Sequence, residues 1–303
     1  MNNSLVTSIN ELKKQKNAII LAHYYVNGEI QDIADYVGDS FYLSKIAANT
    51  DADIIVFCGV SFMGESAKML NPNKTVLMPD IDADCAMAHM CEVSYIEKVR
   101  KEYDDVAVVC YINSTAELKS YSDVCVTSSN ALKIVKALPN KNILFIPDKN
   151  LGHYISKLVP EKNFIFNDGH CPIHNKILSK HINEAKESHP LAKVLSHPEC
   201  PAEVLEISDF IGSTSEIIDY ALESNDKEFI VATEVGVFHK LQKDNPDKVF
   251  YPVIENQICK DMKFITLQKI YDSLLNGTGE MNVSNECTET ALNALDKMLV
   301  LGK

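Results

Sequence analysis

Three of the nine cysteines, Cys85, Cys171 and Cys259, stand 86 and 88 residues apart, and no other three keep that period. No CxxC pair occurs anywhere, so the usual local signatures of zinc and iron–sulfur sites are missing. Three thiolates brought to one point suit two kinds of metal. One is zinc, completed by His174 of "CPIH" at Cys-x-x-His spacing. The other is a [4Fe–4S] cluster with three cysteine ligands and one iron left open, a Lewis acid that holds a substrate oxygen and assists dehydration. Spacing does not choose between them. The other six cysteines read as core thiols: Cys58, Cys110 and Cys125 within strand runs, Cys91 and Cys287 in helical patterns, and Cys200 after a strand end.

A period in the ligands requires a period in the elements that carry them. Short apolar runs alternate with helical patterns: "NAIILAHYY", "DADIIVFCGV" and "TVLMPD", then "DVAVVCYIN", "SDVCVTSS" and "NILFIPD", then "LAKVLSHPE", "SDFIGSTS" and "EFIVATE". Runs such as "IIVFC" are apolar throughout, as in parallel strands covered by helices on both faces. The class is α/β, with three homologous αβα domains carrying short parallel sheets around a pseudo-threefold axis. The first strands align at His23, Tyr111 and His197, the second from Asp53, Asp123 and Asp209, and the third at Asp80, Asp148 and Glu234. In this alignment the first unit carries extra residues, "NGEIQDIADYVGDSFYLSKIAANT", between its first two strands. The expected division is 1–85 plus 260–303, 86–171 and 172–259, with the closing helices packed on the first unit. Equivalent loops after the third strands then converge on the axis with their cysteines.

Composition narrows the partners. With 29 Lys and Arg against 42 Asp and Glu the net charge is −13, and no basic cluster exists to hold nucleic acid. No stretch approaches membrane-spanning length and no signal peptide opens the chain, so a cytoplasmic protein with reduced thiols is expected. Ligands of open α/β sheets bind beyond the carboxyl ends of the strands. There the first strands present "HYY", "YIN" and "HPE", and the second strands present Ser128–Ser129 and Ser213–Thr214 at helix starts. A hydroxyl there serves as a helix cap or as a ligand donor, and the nearby N–H groups favour a guest carrying carboxylate or phosphate. No P-loop or GxGxxG is present, so a nucleotide is not the obvious guest.

Several segments together, "LAHYY", "PDIDADCAMAHM", "CYINSTAELKSYSDVCVTSSNA", "IPDKNLG", "GHCPIH", "LSHPECPAEV", "FIGSTSEI", "VATEVGVFHKL" and "CKDMKFITL", resemble the quinolinate synthases. The likeness runs from about residue 18 onward. It implies a [4Fe–4S] cluster held by Cys85, Cys171 and Cys259. It also implies condensation of iminoaspartate with dihydroxyacetone phosphate to quinolinate, phosphate and two waters, on the route to NAD, with a functional link to the enzyme that supplies iminoaspartate. Carried over by position, His23, Ser40, Tyr111, Asn113, Ser128, His197, Glu199 and Thr214 bind substrate, and Tyr25, Tyr111, His197 and Glu199 serve as acid/base groups. Some relatives carry a CxxC-type group near the C-terminus, whereas only Cys287 stands there here, so a thiol switch of that kind is not expected. Two other readings of the residues are a zinc hydrolase using the three cysteines and a bound water, and a non-catalytic iron–sulfur sensor.

Overall fold

The computed structural model describes residues 2–303. Its strands make three separate four-stranded sheets with every pairing parallel. The first contains β1 (Ala18–His23), β2 (Tyr36–Gly38), β3 (Ile54–Cys58) and β4 (Thr75–Leu77), in the order β2-β1-β3-β4. The second contains β5 (Val106–Tyr111), β6 (Val124–Val126), β7 (Asn142–Ile146) and β8 (Asn163–Phe166), in the order β6-β5-β7-β8. The third contains β9 (Lys193–Ser196), β10 (Phe210–Ile211), β11 (Glu228–Ala232) and β12 (Val249–Pro252), in the order β10-β9-β11-β12. The α/β class and the threefold repetition are as expected. The central strands are buried on both faces, which is why they read as unbroken apolar runs.

The strand-by-strand alignment needs correction in the first unit. Its second strand is β2, inside the stretch read as extra residues, so "DIIVFC" is equivalent to β7 and β11 and "TVL" is the fourth strand. The register shows this directly: Ala22 faces Cys58 as Cys110 faces Ile146 and Ser196 faces Ala232. Val60, and not Asp80, is therefore the counterpart of Asp148 and Glu234. The three cysteines follow the fourth strands, two of which, β8 and β12, the sequence reading had not marked as strands.

The true counterpart of Asp123 and Asp209 is Asp35, and the three residues do the same work. Each sits just before the outer strand and makes two hydrogen bonds to one residue of the central strand. Its N–H donates to the carbonyl of Ile20, Val108 or Val194, at 2.9 Å in all three. Its carboxylate accepts that residue's N–H at 2.7, 2.7 and 2.8 Å. An outer strand of two or three residues forms too few ladder bonds to hold itself, and this bracket supplies the rest. Asp209→Ala should thus lower unfolding free energy by about 1–3 kcal/mol, because the buried Val194 N–H loses its acceptor. Removing the exposed partner with Lys193→Ala should cost less, about 0–1 kcal/mol. Urea unfolding of the two variants checks the order.

The closing helices divide between two units. Leu267–Asn276 packs on Asn2–Gln15 of the first unit, and Asn285–Leu301 lies across the helix Ala116–Ser120 and strand β6 of the second, touching Ser61–Leu70 of the first. All three residues of β6 are buried, and the short helix beside it cannot cover them alone. Ala291, Leu295 and Met298 supply the missing apolar face. The first two units consequently share one continuous core with the closing helices, whereas the third has separate apolar layers on its two sheet faces.

A candidate metal centre in a threefold cavity

The carboxyl ends of the three sheets meet around one cavity, and the twelve residues that the resemblance carries over line it, whereas Ser129 and Ser213 do not. The twelve fall into four sets of three. His23, Tyr111 and His197 stand at the ends of β1, β5 and β9; two residues on come Tyr25, Asn113 and Glu199. Ser40, Ser128 and Thr214 follow the outer strands, and Cys85, Cys171 and Cys259 follow the fourth strands. Within each set the members occupy equivalent places in the repeat. Threefold symmetry of backbone thus carries threefold-different chemistry.

Local folding explains how each hydroxyl faces inward. Asp39 caps the helix Ser40–Asn49, its side chain accepting the Tyr42 N–H at 2.9 Å. Ser213 caps Thr214–Glu223 in a box with Glu216, whose carboxylate accepts the Ser213 N–H at 2.7 Å. With the caps made by the preceding residues, Ser40 and Thr214 are free for the cavity. In the second unit Ser128 instead accepts from His197 Nε2, at 3.2 Å. Tyr25 is positioned by close backbone approach: a side chain on Gly236 would lie 2.6 Å from the Tyr25 Cα.

The histidine tautomers follow from the backbone. Tyr25 N–H and Glu199 N–H donate to Nδ1 of His23 and His197 at 3.2 and 3.3 Å, so each ring carries its proton on Nε2, toward the cavity. Burial pulls both rings down to about 3, leaving them neutral donors. Burial likewise pushes the phenols of Tyr25 and Tyr111 well above their usual value. Glu199 is the exception. It is 3 % exposed, and although burial alone would raise its carboxyl, the rings of His174 and His197 and hydrogen bonds from His174 and Tyr111 hold it below the usual carboxylate range.

His174, left open between ligand and ordinary loop residue by the sequence, is a member of the site. It is 1 % exposed, with Nδ1 2.6 Å from Glu199 Oε2 and Nε2 2.9 Å from Thr233 Oγ1. Thr233, which the sequence reading missed, is also 2.8 Å from the Tyr25 hydroxyl, itself 2.9 Å from Thr214. With Glu199 ionised the donors run one way: Thr214 to Tyr25, Tyr25 to Thr233, Thr233 to His174 Nε2, and His174 Nδ1–H to the carboxylate. A continuous path for a proton connects a phenol in the cavity to a carboxylate. Glu199 does not cap the helix Ala202–Leu205, which starts from Pro201 without a side-chain cap.

The thiol set fits a metal cluster. Cys85, Cys171 and Cys259 all line the cavity. Burial pushes Cys85 up to about 12 and Cys259 to about 11, so these thiols ionise together only when a cation replaces their protons. Among the described residues no fourth cysteine lines the cavity, which would leave such a centre a free position. Cys171, His174 and Glu199 also present ligand atoms within 4.8 Å of one another. Both ring nitrogens of His174 are already engaged, however, which weighs against its use as a zinc ligand. Asn113 Oδ1 is buried without a hydrogen-bond partner, an acceptor awaiting a donor from a bound guest.

Three parallel-sheet units closing on a cavity lined by buried ionisable groups and three cysteines define an α/β protein whose site is consistent with a cysteine-ligated metal centre. A family model described as "NadA: Quinolinate synthetase A protein" matches residues 7–300. The chain is 52% identical over 298 residues to the quinolinate synthase of Clostridioides difficile (strain 630), covering 98% of each. It is also 52% identical over 298 residues to that of Caldicellulosiruptor bescii, again covering 98% of each, and 48% identical over 304 residues to that of Clostridium acetobutylicum, covering 100% of each. The chain belongs to the quinolinate synthetase A family.

Proposed function

We propose that this enzyme condenses iminoaspartate with dihydroxyacetone phosphate to give quinolinate, phosphate and two waters, a step in making NAD, using a [4Fe–4S] cluster held by Cys85, Cys171 and Cys259. The observation that carries the reading is the meeting of the three cysteines with nine polar residues from equivalent positions of all three units in one cavity. When bound, such a cluster supplies one iron with an open position, a Lewis acid for a carboxylate or nitrogen of the substrate. The remaining work is done by side chains. His23 presents a neutral Nε2–H donor, and Ser40 and Ser128 present hydroxyls, the latter held by the His197 N–H, to the oxygens of two anionic substrates. Asn113 accepts from the substrate nitrogen or a hydroxyl. Imine–enamine exchange, isomerisation of the sugar carbons and two dehydrations each move a proton, and the path from Tyr25 to Glu199 moves one without exposing either to water. All nine cysteines are free, which suits the reducing cytosol, where the supplier of iminoaspartate would also act.

Protein purified without oxygen should be brown, with about four irons and matching sulfide per chain, and should form quinolinate from the two substrates. Air should remove colour and activity together, since one iron lacks a protein thiolate. A colourless, zinc-containing, air-stable enzyme would favour the hydrolase reading, and a brown protein that binds substrate without turnover would favour a sensor.

A further inference from the structure

The three cysteine corners are built differently. At two of them a wholly buried carboxylate from the end of the third strand receives the N–H of the cysteine itself. Asp148 Oδ2 accepts from Cys171 N at 3.1 Å while Oδ1 accepts from Leu151 N at 2.8 Å. Glu234 Oε1 accepts from Cys259 N at 3.0 Å, Oε2 from Gly236 N at 2.6 Å, and Lys263 pairs with the same carboxylate at 3.0 Å. Asp148 and Glu234 are equivalent in the repeat and fully buried. At the third corner that position is Val60, which has nothing to offer an N–H. Among the described residues the N–H of Cys85 has no such buried acceptor, and the carboxylate beside it, Asp84, has a side chain 43% exposed and pairs with His89, 56% exposed. Asp84 is otherwise tied to Ser61 and, through its own N–H, to Asp261 of the Cys259 loop at 3.3 Å. Beyond it, Ile81 and Asp82 stand in solvent.

A hydrogen bond sealed from water resists opening better than one in contact with it, because breaking it leaves a buried donor and acceptor unsatisfied. We infer that Cys85 is the corner that opens: its bond to the metal centre breaks first when the centre is lost and closes last when it is built, while Cys171 and Cys259 stay clamped. Asp148 and Glu234 are thereby positioning residues for two ligands. The inference rests on the proposed cluster.

The test uses the anaerobically purified holoenzyme, treated with the iron(II) chelator 2,2′-bipyridyl in the presence of iodoacetamide. Visible absorbance follows the cluster, and mass spectrometry follows alkylation of the three cysteines. Cys85 should be labelled about tenfold sooner than Cys171 or Cys259, a factor in keeping with one buried hydrogen bond. His89→Ala, which removes a partner of Asp84, should hasten loss of colour with Cys85 still first. Asp148→Asn, which leaves one acceptor for two N–H groups, should bring Cys171 labelling up to the rate of Cys85 without altering the initial spectrum. Equal labelling in the native enzyme, or Cys171 or Cys259 ahead, overturns the inference while leaving the cluster standing. A protein lacking iron and sulfide overturns both.

Discussion

Each of Cys85→Ala, Cys171→Ala and Cys259→Ala should yield a colourless protein with no measurable quinolinate formation, whereas alanine at any of the other six cysteines should leave iron content near that of the parent. The division follows from where the sulfurs lie. Among the described residues these three are the cysteines that line the cavity. Cys58, Cys110, Cys125 and Cys200 are buried away from it, with Cys110 Sγ bonded to the Tyr111 carbonyl and Cys200 Sγ to that of Ala232, both at 3.4 Å. Cys91 donates to the Glu92 carbonyl at 3.8 Å, and Cys287 lies in the closing helix. Removing one of three ligands leaves two thiols that burial keeps protonated, so the loss should be complete and not partial. Iron and sulfide analysis on anaerobic samples decides it. Full iron in any of the three variants, or loss of iron in Cys58→Ala or Cys125→Ala, would remove the shared period as the basis of the site.

Glu199→Gln should keep the cluster spectrum and thermal stability close to those of the parent while turnover falls about 10²–10⁴-fold, the usual cost of a lost general acid/base. Glutamine preserves volume and an oxygen that can accept the His174 N–H, so the buried contacts survive. It cannot take up a proton. The chain from Tyr25 through Thr233 and His174 would then end on a group that stores nothing, and each proton-moving step would have to find another route. Quinolinate formation and thermal unfolding measured on one cluster-loaded sample separate this from a structural role. Turnover near that of the parent would take Glu199 out of the proton path and return it to packing.

What the sequence disclosed and what it hid follow from physical differences between elements. Central strands such as "VAVVCY" and "FIVA" are sealed by helices on both sides, so their apolar runs are unmistakable and their ends locate His23, Tyr111 and His197. The outer strand Tyr36–Gly38 has three residues, one of them glycine, and is held by Asp35 more than by its own ladder. A segment of that kind leaves no apolar signature, and its loss shifted the first unit out of register. The cysteine period survived the slip because it depends on loop positions and not on the strand count. Thr233 and His174 were hard to find for another reason. Their roles come from pairing with residues 208 and 25 positions away, Tyr25 and Glu199, and hydrogen-bond partners across a threefold axis leave no spacing to read.

Because every ligand loop hangs from a different sheet, the site does not exist on a partly made chain. Translation completes the first sheet and Cys85, then the second and Cys171, and a nascent polypeptide holding only these two has no place for a cluster. Cys259 arrives last, carried on a unit that joins the others through polar contacts around the cavity, among them Tyr25 to Thr214 and Ser128 to His197. If the proposed cluster is held by these three loops, metal delivery follows translation, and retained iron would certify that all three sheets were made, folded and brought together. A cell that recycles iron from failed chains would lose none to fragments that end before the third unit.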